Sequence, residues 1–120
     1  MSELWQSITS ETVLTKLLSD SELESGVYSL ILKHSHRCGI SAMAKSRLER
    51  KIDSRIAYFI IDVIKHRDVS NALATATGIE HESPQAFLFN GSVMIDVRSH
   101  MGISASELSK RIDSLKQIQT

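Results

Sequence analysis

The hydrophobic period of the chain changes twice between residues 27 and 62, and those changes restrict the fold more than any other feature. Residues 27–32 (VYSLIL) are β-rich and nearly continuous, the pattern of a strand buried on both faces. From Ile40 the period is helical. Ile40, Met43, Ala44, Leu48 and Ile52 fall on one face, while Lys45, Arg47, Glu49, Arg50 and Lys51 lie mostly elsewhere. Residues 57–62 (AYFIID) are apolar and strand-like again. A strand–helix–strand crossover brings its two strands parallel in one sheet.

The flanking segments extend this unit. Residues 4–8 form a short strand or a lead-in. Val13, Leu14, Leu17 and Leu18 make residues 10–18 an amphipathic helix, and residues 19–26 a turn. Asp68 or Ser70 caps a helix that runs to about Thr77 and stops at Gly78. Asn90-Gly91 joins residues 85–89 to a returning strand, 93–98, as a hairpin. Ser104 and Glu107 have capping-box spacing, and Ala105, Leu108, Ile112 and Leu115 give a last helical stripe. The expected architecture is α/β, a mixed central sheet with helices on both faces, in a single domain over residues 1–120. A chain of 120 residues, 42% hydrophobic, can bury a core of that kind. The element order is shared with the thioredoxin fold, and a fold alone does not fix a function.

Charge and cysteine content narrow the function. Fourteen basic residues balance fourteen acidic ones, so no global field favours nucleic acid or an anionic membrane. Lys45, Arg47, Arg50 and Lys51 form a basic face, but Glu49 and Asp53 interrupt it. No apolar run is long enough to span a bilayer, and the N-terminus (MSELWQSITSE) lacks the marks of a secretory signal. One cysteine, Cys38, forms no intrachain disulfide. The expected compartment is the cytoplasm.

Cys38 stands where the first confident strand hands over to a helix. Free N–H groups and the helix dipole favour a thiolate at that position, and His34, His36 and Arg37 are nearby sources of positive charge. Pro84, the single proline, precedes a strand in Ser83-Pro84-Gln85 and is a candidate for a cis bond. Such a bond leaves the Ser83 backbone available to an incoming peptide or thiol. Taken alone, these residues leave other uses open. Cys38 is also compatible with an inert packed thiol. With His34 and His36 it is compatible with a zinc ligand set, and across two copies with a shared iron–sulfur cluster. The preferred expectation is a reactive thiol with no metal and no bound cofactor.

Residues 33–41 (KHSHRCGIS) resemble the active-site segment of the monothiol bacilliredoxin family, bacterial thioredoxin-like proteins. Residues 65–71 (KHRDVSN), residues 81–85 (HESPQ), and Ser99-His100 with Ile103 are similar to three further family blocks. They occur in the expected order along most of the chain. Two positions depart from the family pattern: Gly39 where proline usually follows the cysteine, and Met101 where tryptophan is common.

The resemblance implies a thioredoxin-like fold and a part in redox homeostasis by thiol–disulfide exchange. It implies an enzyme, a monothiol oxidoreductase that removes a low-molecular-weight thiol of bacillithiol type from mixed disulfides on client proteins. Cys38 is then the catalytic nucleophile. Gly39, Ile40, Ser41, Ser83 and Pro84 are the substrate-binding positions, with His34, His36 and Arg37 in support. Ser41 holds the place of a second cysteine, and it is expected either to donate a hydrogen bond to the sulfur or to be simply a polar first-turn residue. The implied partners are S-thiolated proteins and the small thiol as co-substrate, with no nucleic acid and no membrane. The alternative is a non-enzymatic sensor or adaptor whose Cys38 is reversibly S-thiolated.

Overall fold

The computed structural model of the chain describes residues 4–19 and 27–119. The turn expected over residues 19–26 lies outside these, apart from Ser19, which ends a helix. Along the chain run β1 (Trp5–Ser7), α1 (Glu11–Ser19), β2 (Tyr28–His34), α2 (Gly39–Glu49), β3 (Ile56–Asp62), α3 (Arg67–Thr77), β4 (Gln85–Asn90), β5 (Val93–Ser99) and α4 (Ala105–Gln119). A short 3₁₀ turn, His100–Gly102, links β5 to α4.

The strands form one sheet in the order β1-β3-β2-β4-β5. β3 is parallel to both β1 and β2, as the crossover requires, while β4 is antiparallel to β2 and β5. The nearly continuous apolar run becomes the central strand β2, with alternate residues facing opposite helices. Tyr28, Leu30 and Leu32 pack with Ala44 and Leu48 of α2 and with Leu108 and Ile112 of α4. Ile31 packs on the other face with Leu14 of α1 and Val69 and Leu73 of α3. The expected mixed sheet with helices on both faces is therefore present.

Local details differ from the periodicity. In α2 the buried face is Ser41, Ala44 and Leu48, whereas Ile40 and Met43 are exposed, and Ile52 lies past the end of the helix and is exposed too. α3 begins before either expected cap: His66 is its N-cap, and Asp68 and Ser70 lie within its first turn. Its end is as expected, since Gly78 adopts φ +72°, and its N–H returns to the Ala74 carbonyl at 2.9 Å. In the hairpin Asn90 is still paired with Val93, so the turn is Gly91-Ser92. Gly91 at φ +60° opens it, which suits a turn with a left-handed first residue. The Ser104 hydroxyl accepts the Glu107 N–H at 3.3 Å and caps α4.

An ionic cluster ties the start of β3 to α4. Arg55 grips both oxygens of Asp53 at 2.9 and 2.7 Å and also reaches Asp113 at 2.7 Å. The Ser109 hydroxyl donates to Asp53 at 2.8 Å. The Arg55 guanidinium holds the Asp53 carboxyl far below the usual carboxylate range. A carboxylate with a depressed folded-state pKa stabilises the fold above its unfolded pKa, and that contribution is lost as pH falls. Asp53→Asn is expected to cost about 1–3 kcal/mol at pH 7. In thermal melts from pH 7 to pH 2, the gap between the two proteins should close below about pH 4.

Candidate active site

Cys38 is itself the N-cap of α2. Its backbone is extended, at φ −109° and ψ 121°, and its carbonyl accepts the first helical bond, from the Ala42 N–H at 3.0 Å. The N-cap side chain is the one placed to receive the first-turn N–H groups, which have no acceptor within the helix. Here those belong to Gly39, Ile40 and Ser41, and the side chain offered to them is a thiol. The thiol makes no hydrogen bond to these donors and stands at the positive end of the helix dipole. Cys38 is partly exposed, and Gly39 and Ile40 are exposed beside it. A Cβ on Gly39 would meet nothing within 4 Å, so this position opens the first turn to solvent.

The loop that carries Cys38 is pinned from below. Ser41 is fully buried, and its hydroxyl is hydrogen-bonded to His34 Nδ1 at 2.7 Å. The same hydroxyl accepts the Ser35 N–H at 3.0 Å, while the Ser35 carbonyl accepts the Cys38 N–H at 3.1 Å. The His34 carbonyl accepts the Val63 N–H at 3.0 Å, which anchors the loop to the end of β3. Ser41 thus braces the loop, and the bond to sulfur expected of it is replaced by bonds to His34 and Ser35. Ser41→Ala is expected to destabilise the fold by about 1–3 kcal/mol, because a buried amide and an imidazole nitrogen lose their partner. Urea unfolding measures it, and an unchanged midpoint would mean that water takes over both bonds.

His34 does not supply the positive charge expected of it. Burial, with Lys45 adding to it, pushes its pKa below the ordinary histidine value, so the ring is neutral near pH 7. His36 is exposed, with Nδ1 3.4 Å from Asp62 Oδ2, and Arg37 is exposed.

Cys38 and Ser83 meet at a cleft of about 310 Å³, which Arg67, Ser70, Asn71 and His81 also line. The Ser83–Pro84 bond is cis. Pro84 is buried, and its carbonyl accepts the His100 N–H at 3.0 Å. Buried Gln85 ties the loop together, donating to the Glu80 carbonyl at 3.1 Å and accepting the Glu82 N–H at 3.3 Å. The Ser83 hydroxyl is buried with no hydrogen-bond partner.

Behind the cleft lies a group that periodicity gave no reason to single out. Lys33 is completely buried in β2, on the face covered by α1 and α3. Its amine is 3.2 Å from His81 Nδ1 and 5.6 Å from the centre of the Phe87 ring. Ser70 Oγ is 3.1 Å from the same His81 nitrogen. Burial pushes the Lys33 pKa down to about 8, so the amine is mostly charged at pH 7. Burial, then Lys33 and Arg67, push His81 below its ordinary value. With Nδ1 engaged by Lys33, the neutral ring carries its proton on the other nitrogen. Lys33, Arg67, Ser70, Asn71 and His81 all fall in segments that resemble family blocks, and that resemblance is the one sequence signal pointing to them.

Among the described residues, no group of three or more His, Cys, Asp or Glu side chains is arranged to hold a metal ion. No described helix is long and apolar enough to cross a membrane.

Comparison with known proteins agrees with this geometry. The family model described as monothiol bacilliredoxin BrxC matches residues 6–108. Among solved structures, a candidate oxidoreductase with a thioredoxin fold superposes with a TM-score of 0.78 at 29% identity, covering 91% of this chain and 94% of that one. A thioredoxin variant from Halobacterium salinarum matches with a TM-score of 0.67 at 22% identity, covering 92% and 88%. Trypanosoma brucei thioredoxin gives 0.68 at 9% identity, covering 93% and 90%. The last two are likenesses of fold alone. With the family model covering most of its length and a thioredoxin-type sheet carrying a lone N-cap cysteine, this chain belongs to the monothiol bacilliredoxin family of thiol oxidoreductases.

Proposed function

We propose that the chain removes a low-molecular-weight thiol of bacillithiol type from mixed disulfides on client proteins in the cytoplasm, with Cys38 as nucleophile. The observation that supports this most directly is the cleft shared by the N-cap Cys38 and by Ser83 of the cis Ser83–Pro84 bond. In the first step the Cys38 thiolate attacks the small thiol's sulfur. A Cys38–small-thiol disulfide forms, and the client sulfur leaves as a thiolate that takes a proton from water. In the second step a free molecule of the small thiol, as its thiolate, attacks that sulfur. It leaves as the symmetrical disulfide and restores the Cys38 thiolate. In sum one disulfide bond is exchanged for another: the client sulfur returns to the thiol level, one free molecule of small thiol is taken to the disulfide level, and the transferred sulfur stays in a disulfide throughout.

The other residues position these steps. The backbone of Ser83, preceding Pro84, aligns the mixed disulfide. The N–H groups of Gly39 and Ile40 are the donors offered to the developing sulfur anion, and the exposed Ile40 side chain offers an apolar surface beside Cys38, outside the cleft. Ser41 and His34 hold the loop. Incubation of the reduced protein with a bacillithiol-modified client, followed by intact mass, tests the proposal. Loss of the adduct from the client with its transient gain on the protein supports it. Thiolation of Cys38 by the symmetrical disulfide, with the client unchanged, would replace the enzyme with a sensor.

A further inference from the structure

The cleft beside Cys38 has a chemistry of its own. At about 310 Å³ it is at the small end of ligand pockets, the size of one compact molecule. Val63 and Ile64 supply its apolar lining, and the rest is polar. Apart from the Cys38 sulfur itself, every charge or potential charge on it is positive: Arg67 and His81 line it, and the Lys33 amine is 3.2 Å from His81 Nδ1. No carboxylate lines it. Asp68, next to Arg67 in α3, is exposed and is not part of the lining, and Asp62 and Glu82 on the flanking segments are already occupied. Asp62 accepts the Ile64 and Lys65 N–H groups at 3.0 Å each and faces His36, while Glu82 pairs with His100 at 3.2 Å. Ser83 also lines the cleft, and its buried hydroxyl has no hydrogen-bond partner.

We propose that this cleft holds the acidic part of the transferred small thiol, a carboxylate-bearing molecule, and that Arg67 is the residue that selects it. Resting on the exchange at Cys38, the proposal adds what the site recognises. The guanidinium presents a planar fork that matches a carboxylate, and the Asn71 amide, the Ser83 hydroxyl and the outer His81 nitrogen add neutral donors. The thiol sulfur then lies against Cys38 while its acid end is held in the cleft. A thiol without a negative group leaves Arg67 unmatched and loses that selection.

Three symmetrical disulfides of similar size test this without a client protein: those of 3-mercaptopropionate (anionic), 2-mercaptoethanol (neutral) and cysteamine (cationic). The rate of Cys38 thiolation by each is followed by intact mass and divided by its rate with a free small thiol. The anionic probe is expected to lead the neutral one by about tenfold, the value of one charge-assisted hydrogen bond. In Arg67→Gln the ratio of the anionic to the neutral normalised rate should fall to about one. Arg67→Lys should keep part of the lead, and Arg67→Glu should favour the cationic probe. Arg67 is exposed, and melting curves check that each variant is folded. Equal normalised rates in the wild type, or an unchanged lead in Arg67→Gln, would overturn the proposal while leaving exchange at Cys38 intact. A charge preference seen only when the acid is on a client peptide would overturn it in favour of a client-binding cleft. Failure of all three probes to modify Cys38 would remove the exchange reading as well.

Discussion

A Cys38→Ser chain is expected to leave a thiolated client fully thiolated, at the rate of the uncatalysed exchange and no faster. The sequence contains no second cysteine, so no other sulfur can take the adduct. A serine hydroxyl is not ionised near neutral pH and does not displace a thiolate from sulfur. The fold should survive the change, because serine is a favoured N-cap and Cys38 makes no side-chain cap bond that would be lost. The variant should melt at or slightly above the wild-type temperature, so lost exchange cannot be assigned to unfolding. Intact mass of client and protein over time is the measurement. Client adduct that disappears equally fast with the serine variant would end the case for Cys38.

Lys33→Met is expected to have the opposite character, stabilising the fold while slowing transfer. A lysine whose pKa falls from its ordinary 10.5 to about 8 on folding weakens the native state while it is charged. Below pH 8 both folded and unfolded chains hold the proton, and the full cost is present. Between about pH 8 and pH 10.5 the unfolded chain keeps a proton that the folded one has released, so stability rises with pH. Above 10.5 the cost is gone. The shift corresponds to about 3 kcal/mol. Methionine is of similar length and fills the space without charge, so at pH 7 the variant should be more stable by about 1–3 kcal/mol, the lower figure allowing for the lost His81 and Phe87 contacts. Denaturant unfolding at pH 7, 9 and 10.5 should show the two proteins converging as pH rises. Parallel curves, or a destabilised variant at pH 7, would mean that the amine is better solvated by His81 and Phe87 than its burial implies. Loss of the group that fixes the His81 tautomer is expected to slow transfer even in the more stable protein.

Periodicity reaches the backbone plan and stops at the places where single side chains decide. The crossover unit, the mixed sheet and the ends of most elements follow from apolar spacing and from glycines. The face of α2 does not. A count of hydrophobes puts Ile40 and Met43 inward, but the inward residue is Ser41, because His34 and the Ser35 amide satisfy its hydroxyl. Exposed Ile40 lies beside Cys38, so local composition there reflects the site rather than the core. The start of α3 and the hairpin turn are each displaced for comparable reasons, since several adjacent residues can cap or turn and the strand pairing chooses among them. Cys38 and Pro84 stand out from position and count alone. Arg67 and Asn71 do not, because exposed polar residues at the start of a helix carry no periodic signal, and Lys33 falls just past the strand read over residues 27–32. What makes these three notable is the cleft, which Arg67 and Asn71 line and behind which Lys33 lies, and the cleft is assembled from the loops after β2 and β3, α3 and the loop before β4.

The buried hydroxyl of Ser41 also has a kinetic consequence. A thiol at that position would let the protein discard its adduct at a rate fixed by its own geometry. With an alcohol there, the adduct persists until an outside thiol arrives, and its lifetime varies inversely with the concentration of that thiol. If the chain works by the proposed cycle, in a well-supplied cell the loaded form is brief and the protein turns over. As the pool runs down, the same molecule stalls in its loaded form, and the fraction stalled becomes a gauge of how depleted the pool is.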